Sequence, residues 1–183
     1  GHSWNFETLA AQLVRVLKPG GVIVWVVGDK TVDGTEMLTP LRQAIYFKDV
    51  CGLNVWDTMI WNKTCRSPGD GKYRYHDAME FMFVLSKGQP TRRNLIKDIP
   101  VRDGGLKYVR TTDRRRDQSN ARTERKPWVQ PENGCRTNVW SMTNGSNDCD
   151  AIGRDHPAVF PESLAKDHIA SWSNPGDVIL DPF

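Results

Sequence analysis

Six consecutive apolar residues, Val22 to Val27, run without a polar interruption from a Lys-Pro-Gly-Gly turn to Gly28 and Asp29. A strand with apolar residues on both faces is typical of a sheet that helices cover on both sides. The preceding segment, Asn5 to Lys18, has the i, i+3, i+4, i+7 apolar spacing of a helix packed on one face, with Asn5 as its predicted cap. We therefore predict an α/β fold built from right-handed crossover units.

The last 28 residues, His156 to Phe183, have a related arrangement of turn, amphipathic helix and short apolar strand. The predicted strand, Val178 to Leu180, stops at Asp181, and open α/β sheets bind ligands at the carboxyl ends of their strands. We expect this strand to pair with Val22–Val27, or another chain to complete the sheet between them. The helix is predicted from Pro161 to Trp172, with an inward face of Leu164, Ala165, His168, Ile169 and Trp172.

A second helix and a hairpin are predicted between these segments. Thr39 and Pro40 are typical of a helix cap and first turn. The stretches 53–63 and 78–86 are rich in apolar and aromatic residues and are predicted to form a β-hairpin, joined by a Gly- and Pro-rich connection. The inward face of the helix is predicted to contain Leu41, Ala44, Ile45 and either Phe47 or Lys48.

From Gly88 to Asn138 the apolar periodicity disappears, and order returns only at Asn138 to Trp140. The stretch 92–136 holds 13 Lys and Arg residues against six Asp and Glu, a net charge of +7, whereas the remainder carries 12 against 16. Such a segment is either a solvated insertion or a surface that binds a polyanion. We predict three parts: 1–88 and 139–183 in one domain, and 89–138 as an insertion.

The four cysteines lie at positions 51, 65, 135 and 149, without a CxxC pair or a nearby pair of histidines. This spacing favours free thiols in a reducing, cytoplasmic compartment over disulfides or a zinc site, and no metal site is predicted. There is no run of 18 apolar residues, so no membrane span is expected. The chain starts at Gly1 and stops beside the final strand, and we expect it to be a fragment.

Several motifs, taken in their order along the chain, resemble the permuted DNA amino-methyltransferases, which modify adenine-N6 or cytosine-N4. Arg15 to Gly21 is similar to the approach to the strand that follows the family's catalytic strand. The hairpin strands are similar at Asp57 to Lys63 and at Glu80 to Gly88. The most specific likeness is His-Pro-x-x-Phe-Pro, from His156 to Pro161, followed 20 residues later by Asp181-Pro182-Phe183.

The resemblance implies a Rossmann-like S-adenosylmethionine-dependent methyltransferase fold with a mixed sheet, here incomplete. It implies site-specific methylation of double-stranded DNA in a bacterial or phage restriction-modification setting. The family's catalytic tetrapeptide, Asp or Ser followed by Pro-Pro-Tyr, does not occur in the sequence, nor does the glycine-rich loop expected after Phe183. No catalytic residue is therefore assigned, and the chain alone is expected to be inactive.

The resemblance also implies three groups of site residues. Each group has an alternative interpretation: turn residues for the first, core aromatics for the second and a solvated loop for the third. The cofactor-binding group is Asp181, Pro182, Phe183, His156, Pro157 and Phe160; the base pocket is Trp61, Lys63, Tyr75 and His76; the DNA-binding group is Arg114, Arg115, Arg116, Arg125, Lys126 and Trp128.

Two other functions stay open. One is a catalytically inactive DNA-binding module that acts through the basic segment alone. The other is a methyltransferase that acts on RNA or on a small molecule, because the Lys-Pro-Gly-Gly turn is shared with such enzymes. Methylation of cytosine C5 is disfavoured, since that reaction needs a Pro-Cys nucleophile and none of the four cysteines follows a proline.

Overall fold

The computed structural model describes residues 5–64, 73–108, 112–114, 122–124, 127–143 and 160–182. The side chains of 112–114 and 122–124 are outside this description. The chain divides into two compact units, one formed by Gly1–Asn94 and Thr137–Phe183 and the other by Leu95–Arg136. The second unit lies inside the predicted insertion of residues 89–138.

The first unit contains a four-stranded mixed sheet in the order β1-β5-β4-β12. β1 (Val22–Val27) and β4 (Asn54–Lys63) both pair antiparallel with β5 (Met79–Ser86), which confirms the predicted hairpin. β12 (Val139–Met142) pairs parallel with β4. β1 is therefore an edge strand among the described residues.

Helices cover both faces of this sheet, as predicted for an α/β fold. Successive residues of β5 point to opposite faces, which separates Phe83 and Leu85 from Met82. α1 (Phe6–Val16) and α2 (Thr39–Asp49) pack on the Phe83 face, where the core comprises Ala10, Leu13, Trp25, Ala44, Phe47, Leu53, Phe83 and Leu85. α3 (Glu162–Trp172) packs on the other face, where His168 contacts Met82.

The helix predicted for residues 5–18 is confirmed as α1, and Asn5 caps it by accepting a hydrogen bond from the Thr8 amide at 3.2 Å. The cap predicted for α2 is wrong: its N-cap is Leu38, at φ +54°, and no side chain of the helix caps it. Asp29 instead accepts hydrogen bonds from the Leu38 and Thr39 amides, at 2.8 and 2.9 Å. The Asp29 side chain, in the loop after β1, therefore provides the helix cap that was predicted from Thr39.

The predicted inward face of α2 is only partly right. Leu41 and Ile45 are exposed, and the buried residues are Pro40, Gln43, Ala44 and Phe47. Gln43 is tolerated in this core because its side-chain oxygen accepts a hydrogen bond from the Trp25 indole at 2.8 Å. The helix is rotated so that Gln43 meets this indole, a pairing that residue hydrophobicity alone does not indicate.

The predicted inward face of α3 is too wide. Its buried residues are Leu164, His168 and Ser171, whereas Ala165 and Ile169 are exposed and Trp172 is half-buried. The spacing of 4 and then 3 residues between the buried positions is that of a narrow stripe along one helix face. α3 therefore packs on the sheet through this one row of side chains.

The strand predicted at Val178 to Leu180 is wrong for this chain. The segment is irregular, and its three side chains are 85%, 53% and 61% exposed. It does not pair with β1, whose residues other than Trp25 are only half-buried. An apolar segment forms a strand only where a neighbour offers free backbone hydrogen-bonding groups, and none meets this one among the described residues.

The remaining strands are short and pair locally. β2 (Thr31–Val32) and β3 (Thr35–Glu36) form a small hairpin in the first unit. In the second unit β6 (Ile99–Pro100) pairs with β11 (Asn133–Gly134), β7 (Lys107–Tyr108) with β10 (Trp128–Val129), and β8 (Thr112–Arg114) with β9 (Arg122–Glu124). Over the part of the chain that the structure describes, no helix is long and apolar enough to cross a membrane.

Candidate functional site at the carboxyl edge of the sheet

One edge of the sheet collects the ends of several strands. β1, β4 and β12 all finish there, at Val27, Lys63 and Met142, and β5 begins there at Met79. Because polar residues and loops follow these strand ends, this edge is the place where an α/β sheet binds a ligand.

Trp61 forms the apolar floor of this edge. It is 4% exposed, and its indole donates a hydrogen bond to the Met142 carbonyl at 3.2 Å. The ring of Phe160, which is 47% exposed, lies 5.7 Å from the Trp61 ring. Two predicted site residues that are far apart in the sequence therefore meet, with Trp61 beneath Phe160, and Phe160 keeps an apolar surface open to solvent.

Beside Trp61 lies an ion pair between Lys63 and Glu80. The Lys63 ammonium is 2.5 Å from the Glu80 carboxylate and 5.3 Å from the centre of the Trp61 ring. Both side chains are largely buried, with 14% and 19% of their surface exposed. Gly28 lies next to Glu80 and has no side chain that could cover it. A β-carbon placed on Gly28 would be 3.5 Å from the Glu80 carboxyl carbon.

Asp29, next to Gly28, organises the loop after β1. Its carboxylate accepts hydrogen bonds from the amides of Lys30, Leu38 and Thr39. Desolvation alone would raise the pKa of this carboxyl, but the three backbone hydrogen bonds hold the pKa below its usual value. Asp29 is thus a structural anion at the helix N-terminus of α2, with its oxygens already engaged.

The loop is also tied to the connection between β4 and β5. Arg74 donates hydrogen bonds to the Glu36 carboxylate, at 3.3 Å, and to the Gly34 carbonyl. Arg74 thereby joins the β2–β3 hairpin to the segment that precedes β5.

α3, which follows Phe160, is held against the sheet by His168. The His168 ring stacks on Trp140 with centroids 4.6 Å apart, and its Nε2 lies 3.3 Å from the Met82 sulfur. Burial lowers the pKa of His168 from 6.5 to about 4, although the charge of Asp167 opposes this shift. The imidazole is therefore neutral near pH 7 and serves as a core residue.

The other predicted residues of the first unit lie in exposed positions. Tyr75 and His76 are exposed, Tyr75 completely so. Asp181 and Pro182 are also exposed, directly after the irregular Val178–Leu180 segment. The predicted cofactor-binding residues His156, Pro157 and Phe183 lie outside the described residues.

In the second unit Trp128 is half-buried, and its ring stacks on Tyr108 with centroids 5.4 Å apart and an angle of 17° between the ring planes. The Tyr108 hydroxyl donates a hydrogen bond to Asp103 at 3.0 Å. Arg114 lies on β8. The side chain of Arg114, and the whole of Arg115, Arg116, Arg125 and Lys126, lie outside the description.

Sequence reasoning missed Glu80, Gly28 and Asp29 as members of the site. For Glu80, the available signal was its position as a single carboxylate near the start of the largely apolar Met79–Ser86 stretch. Its partner could not be read from the sequence, because the antiparallel register that brings Glu80 to Trp61 is a tertiary result. Within the described residues, no three His, Cys, Asp or Glu side chains converge on a metal site, and Cys51 and Cys135 are free.

The profile of the DNA methylase family matches residues 2–183. The chain belongs to this family. Its relatives include the orphan methyltransferase M.BamHII of Bacillus amyloliquefaciens, which is 46% identical over 186 residues, covering 100% of this chain and 69% of the relative. The type II methyltransferase M.HpaI of Haemophilus parainfluenzae is 25% identical over 185 residues, covering 100% of this chain and 47% of the relative.

Two solved structures share the fold of this family member. The PvuII DNA methyltransferase (cytosine-N4-specific) matches with a TM-score of 0.62 and 19% identity, over 94% of this chain and 55% of that chain. M1.HpyAVI, solved as a complex with SAM, matches with a TM-score of 0.54 and 16% identity, over 100% of this chain and 68% of that chain. The fold is therefore a methyltransferase fold, and the chain spans between about half and about two thirds of the length of these proteins.

Proposed function

We propose that this chain is part of a DNA methyltransferase that transfers a methyl group from S-adenosylmethionine to the exocyclic amine of adenine (N6) or cytosine (N4). The observation that carries the proposal is the family match over residues 2–183. The arrangement of the sheet edge supports it, since an apolar floor and a charged pair meet where the strands end.

Two exposed residues suit the cofactor. Phe160 keeps nearly half of its surface open, which fits contact with an apolar part of a ligand, and Asp181 offers a carboxylate at the end of its segment. A carboxylate accepts hydrogen bonds from the ammonium and hydroxyl groups that S-adenosylmethionine carries. We assign cofactor binding to Phe160, Asp181 and Pro182, together with His156, Pro157 and Phe183.

The methyl-transfer reaction determines where the remaining residues must hold the target base. When bound, S-adenosylmethionine supplies an electrophilic methyl group: the amine nitrogen forms a bond to its carbon as the carbon–sulfur bond breaks, sulfur keeps the electron pair, and the amine releases one proton. The target base has to leave the duplex to reach this position. Tyr75 and His76, which are exposed, are proposed to contact the unstacked base, with Trp61 as the floor beneath and Lys63 beside it.

The second unit, Leu95–Arg136, is proposed to contact double-stranded DNA. The excess of positive charge in residues 92–136 suits the phosphate backbone. Arg114, Arg115, Arg116, Arg125 and Lys126 are the proposed cationic contacts. Trp128 adds an aromatic side chain, of a residue type that proteins use to stack on or wedge between bases.

The proposal is tested with the natural polypeptide that carries these residues, incubated with tritiated S-adenosylmethionine and, in parallel reactions, with duplex DNA, with RNA or with a small-molecule cell extract. We expect label in DNA and, after digestion, N6-methyladenine or N4-methylcytosine. Label found only in RNA or in small molecules would support the alternative methyltransferases instead. DNA binding without any transfer would support the inactive binding module. The 183-residue chain alone is expected to transfer nothing, because it lacks the Pro-Pro-Tyr acceptors.

We further propose that the edge of β1 that has no partner strand among the described residues pairs with a strand from outside this chain. Six apolar residues on an edge strand, without Pro or a charge, form an unprotected edge of the kind that attracts another strand. That strand comes either from another part of a longer polypeptide or from a second copy of the chain. Hydrogen exchange, described in the Discussion, tests this proposal and separates the two sources.

A further inference from the structure

The Lys63–Glu80 pair is placed where a purely structural role is hard to justify. Both side chains are largely buried at the sheet edge. Withdrawing two charges from water costs several kcal/mol per ion, so apolar residues of similar size often stabilise a fold as well or better. Because this buried ion pair lies at the end of a strand, beside a proposed ligand site, we expect it to act in ligand binding.

Three contacts restrict the position of the Lys63 ammonium. The ammonium nitrogen lies 2.5 Å from a Glu80 carboxylate oxygen and 5.3 Å from the centre of the Trp61 ring. The backbone beneath it is fixed as well, because the Lys63 amide donates a hydrogen bond to the Ala78 carbonyl at 2.7 Å. A lysine side chain normally samples many rotamers, and these contacts remove much of that freedom before a ligand arrives.

On the side of β1 the position next to Glu80 is a glycine, so no side chain of that residue stands against the carboxylate. Val27 pairs with Phe81, so the next position, Gly28, lies opposite Glu80. A β-carbon at Gly28 would stand 3.5 to 3.6 Å from the Glu80 side chain, so a larger residue there would extend over the carboxylate. Asp29, in the loop after β1, is bound by three amides and does not replace Glu80 as the partner of Lys63.

We propose that Glu80 is a positioning residue for Lys63, and that the ammonium so held binds a phosphate oxygen of the target nucleotide. The inference rests on the proposed function, because it takes DNA as the substrate. An ammonium has three donors, of which Glu80 engages one, and phosphate is the anion that DNA supplies at every nucleotide. The contact would hold the sugar-phosphate of the unstacked nucleotide.

The experiment uses the natural polypeptide and first establishes methyl transfer by the wild type, so that the proposed function is judged separately. DNA affinity is then measured between 50 and 200 mM salt, conditions chosen for a strong salt response. In Lys63→Met, loss of one phosphate contact is expected to reduce the slope of log affinity against log salt by about 0.9. In Lys63→Arg the charge remains, so the slope is expected to stay that of the wild type.

Glu80→Gln tests the positioning role. Lys63 keeps its charge but loses its anchor, so we expect kcat/KM for DNA to fall about tenfold, equivalent to about 1.4 kcal/mol, with KM for S-adenosylmethionine unchanged. The double variant with Lys63→Met is expected to be no worse than Lys63→Met alone, because both changes remove the same interaction. Glu36→Gln, which breaks the exposed pair with Arg74, is the matched control and should behave as the wild type.

Two results would overturn the inference. An unchanged salt slope in Lys63→Met would show that Lys63 binds no phosphate. Additive losses in the double variant would show that Glu80 acts independently of Lys63. If Lys63→Met does not fold, as judged by circular dichroism, Lys63→Gln takes its place in the same salt titration, and an unchanged slope in Lys63→Gln would equally contradict the phosphate contact.

Discussion

His168 Nε2 lies 3.3 Å from the Met82 sulfur, in a contact that joins α3 to the centre of the sheet. The ring is 5% exposed, and its Nδ1 has no hydrogen-bond partner among the residues that the structure describes. Protonation would place a charge in this apolar contact, which is why burial lowers the pKa of His168 to about 4. The attachment of α3 therefore depends on a neutral histidine.

The first prediction is a loss of stability in mild acid. The folded pKa lies below the unfolded value, so the stabilisation is complete above pH 6.5 and declines as the pH falls towards 4. We expect the free energy of unfolding, from urea titrations, to drop by about 2 kcal/mol between pH 7 and pH 5. His168→Leu should abolish most of this change, whereas exposed His76→Asn should keep it. A flat profile in the wild type would contradict the assignment.

The second prediction concerns Asp29. Asp29→Ala removes the anion that receives the amides at the start of α2, and we expect a loss of about 1 kcal/mol of stability at pH 7. Asp49→Ala, at the exposed C-terminal end of the same helix, is the control. A negative charge is unfavourable at that end, so this change should leave stability equal or slightly higher. Equal losses in both variants would rule out the capping role.

The third prediction concerns the free edge of β1. In the 183-residue chain, the β1 amides that face away from β5 should exchange rapidly with deuterium, as should those of Val178–Leu180. In a longer natural polypeptide both segments should become protected, because a strand then covers the edge. Protection that appears in the short chain only at high concentration would instead indicate a second copy. Unchanged exchange under all conditions would refute the completed sheet.

The fourth prediction tests cofactor binding through Phe160. Covering its exposed ring with a ligand contributes about 1 to 2 kcal/mol, so Phe160→Ala should weaken S-adenosylmethionine binding about tenfold in calorimetry. Trp56→Ala, a comparably exposed aromatic towards the opposite end of β4, should bind the cofactor normally. Equal affinities for Phe160→Ala and the wild type would remove Phe160 from the site.

The local elements were predictable because their signals lie within short stretches. The spacing of apolar residues in α1, the cap at Asn5 and the alternating hairpin strands each depend on neighbours in sequence. The meeting of Trp61 and Phe160 was not predicted, because Trp61 was assigned to the base pocket and Phe160 to the cofactor-binding group. Their actual relation, with Trp61 buried and Phe160 open, required the packed structure.

By itself, the sequence determined the α/β class, the hairpin and the family, because the periodicity of apolar residues and the order of the motifs can be read without knowing any tertiary contact. Only the tertiary structure decided that Asp29 receives the amides of α2, that Glu80 partners Lys63, and that Val178–Leu180 is irregular in this chain. The physical reason is the same in each case. A cap, an ion pair or a strand needs a partner, and the partner's position depends on strand register and on which edges of the sheet are filled.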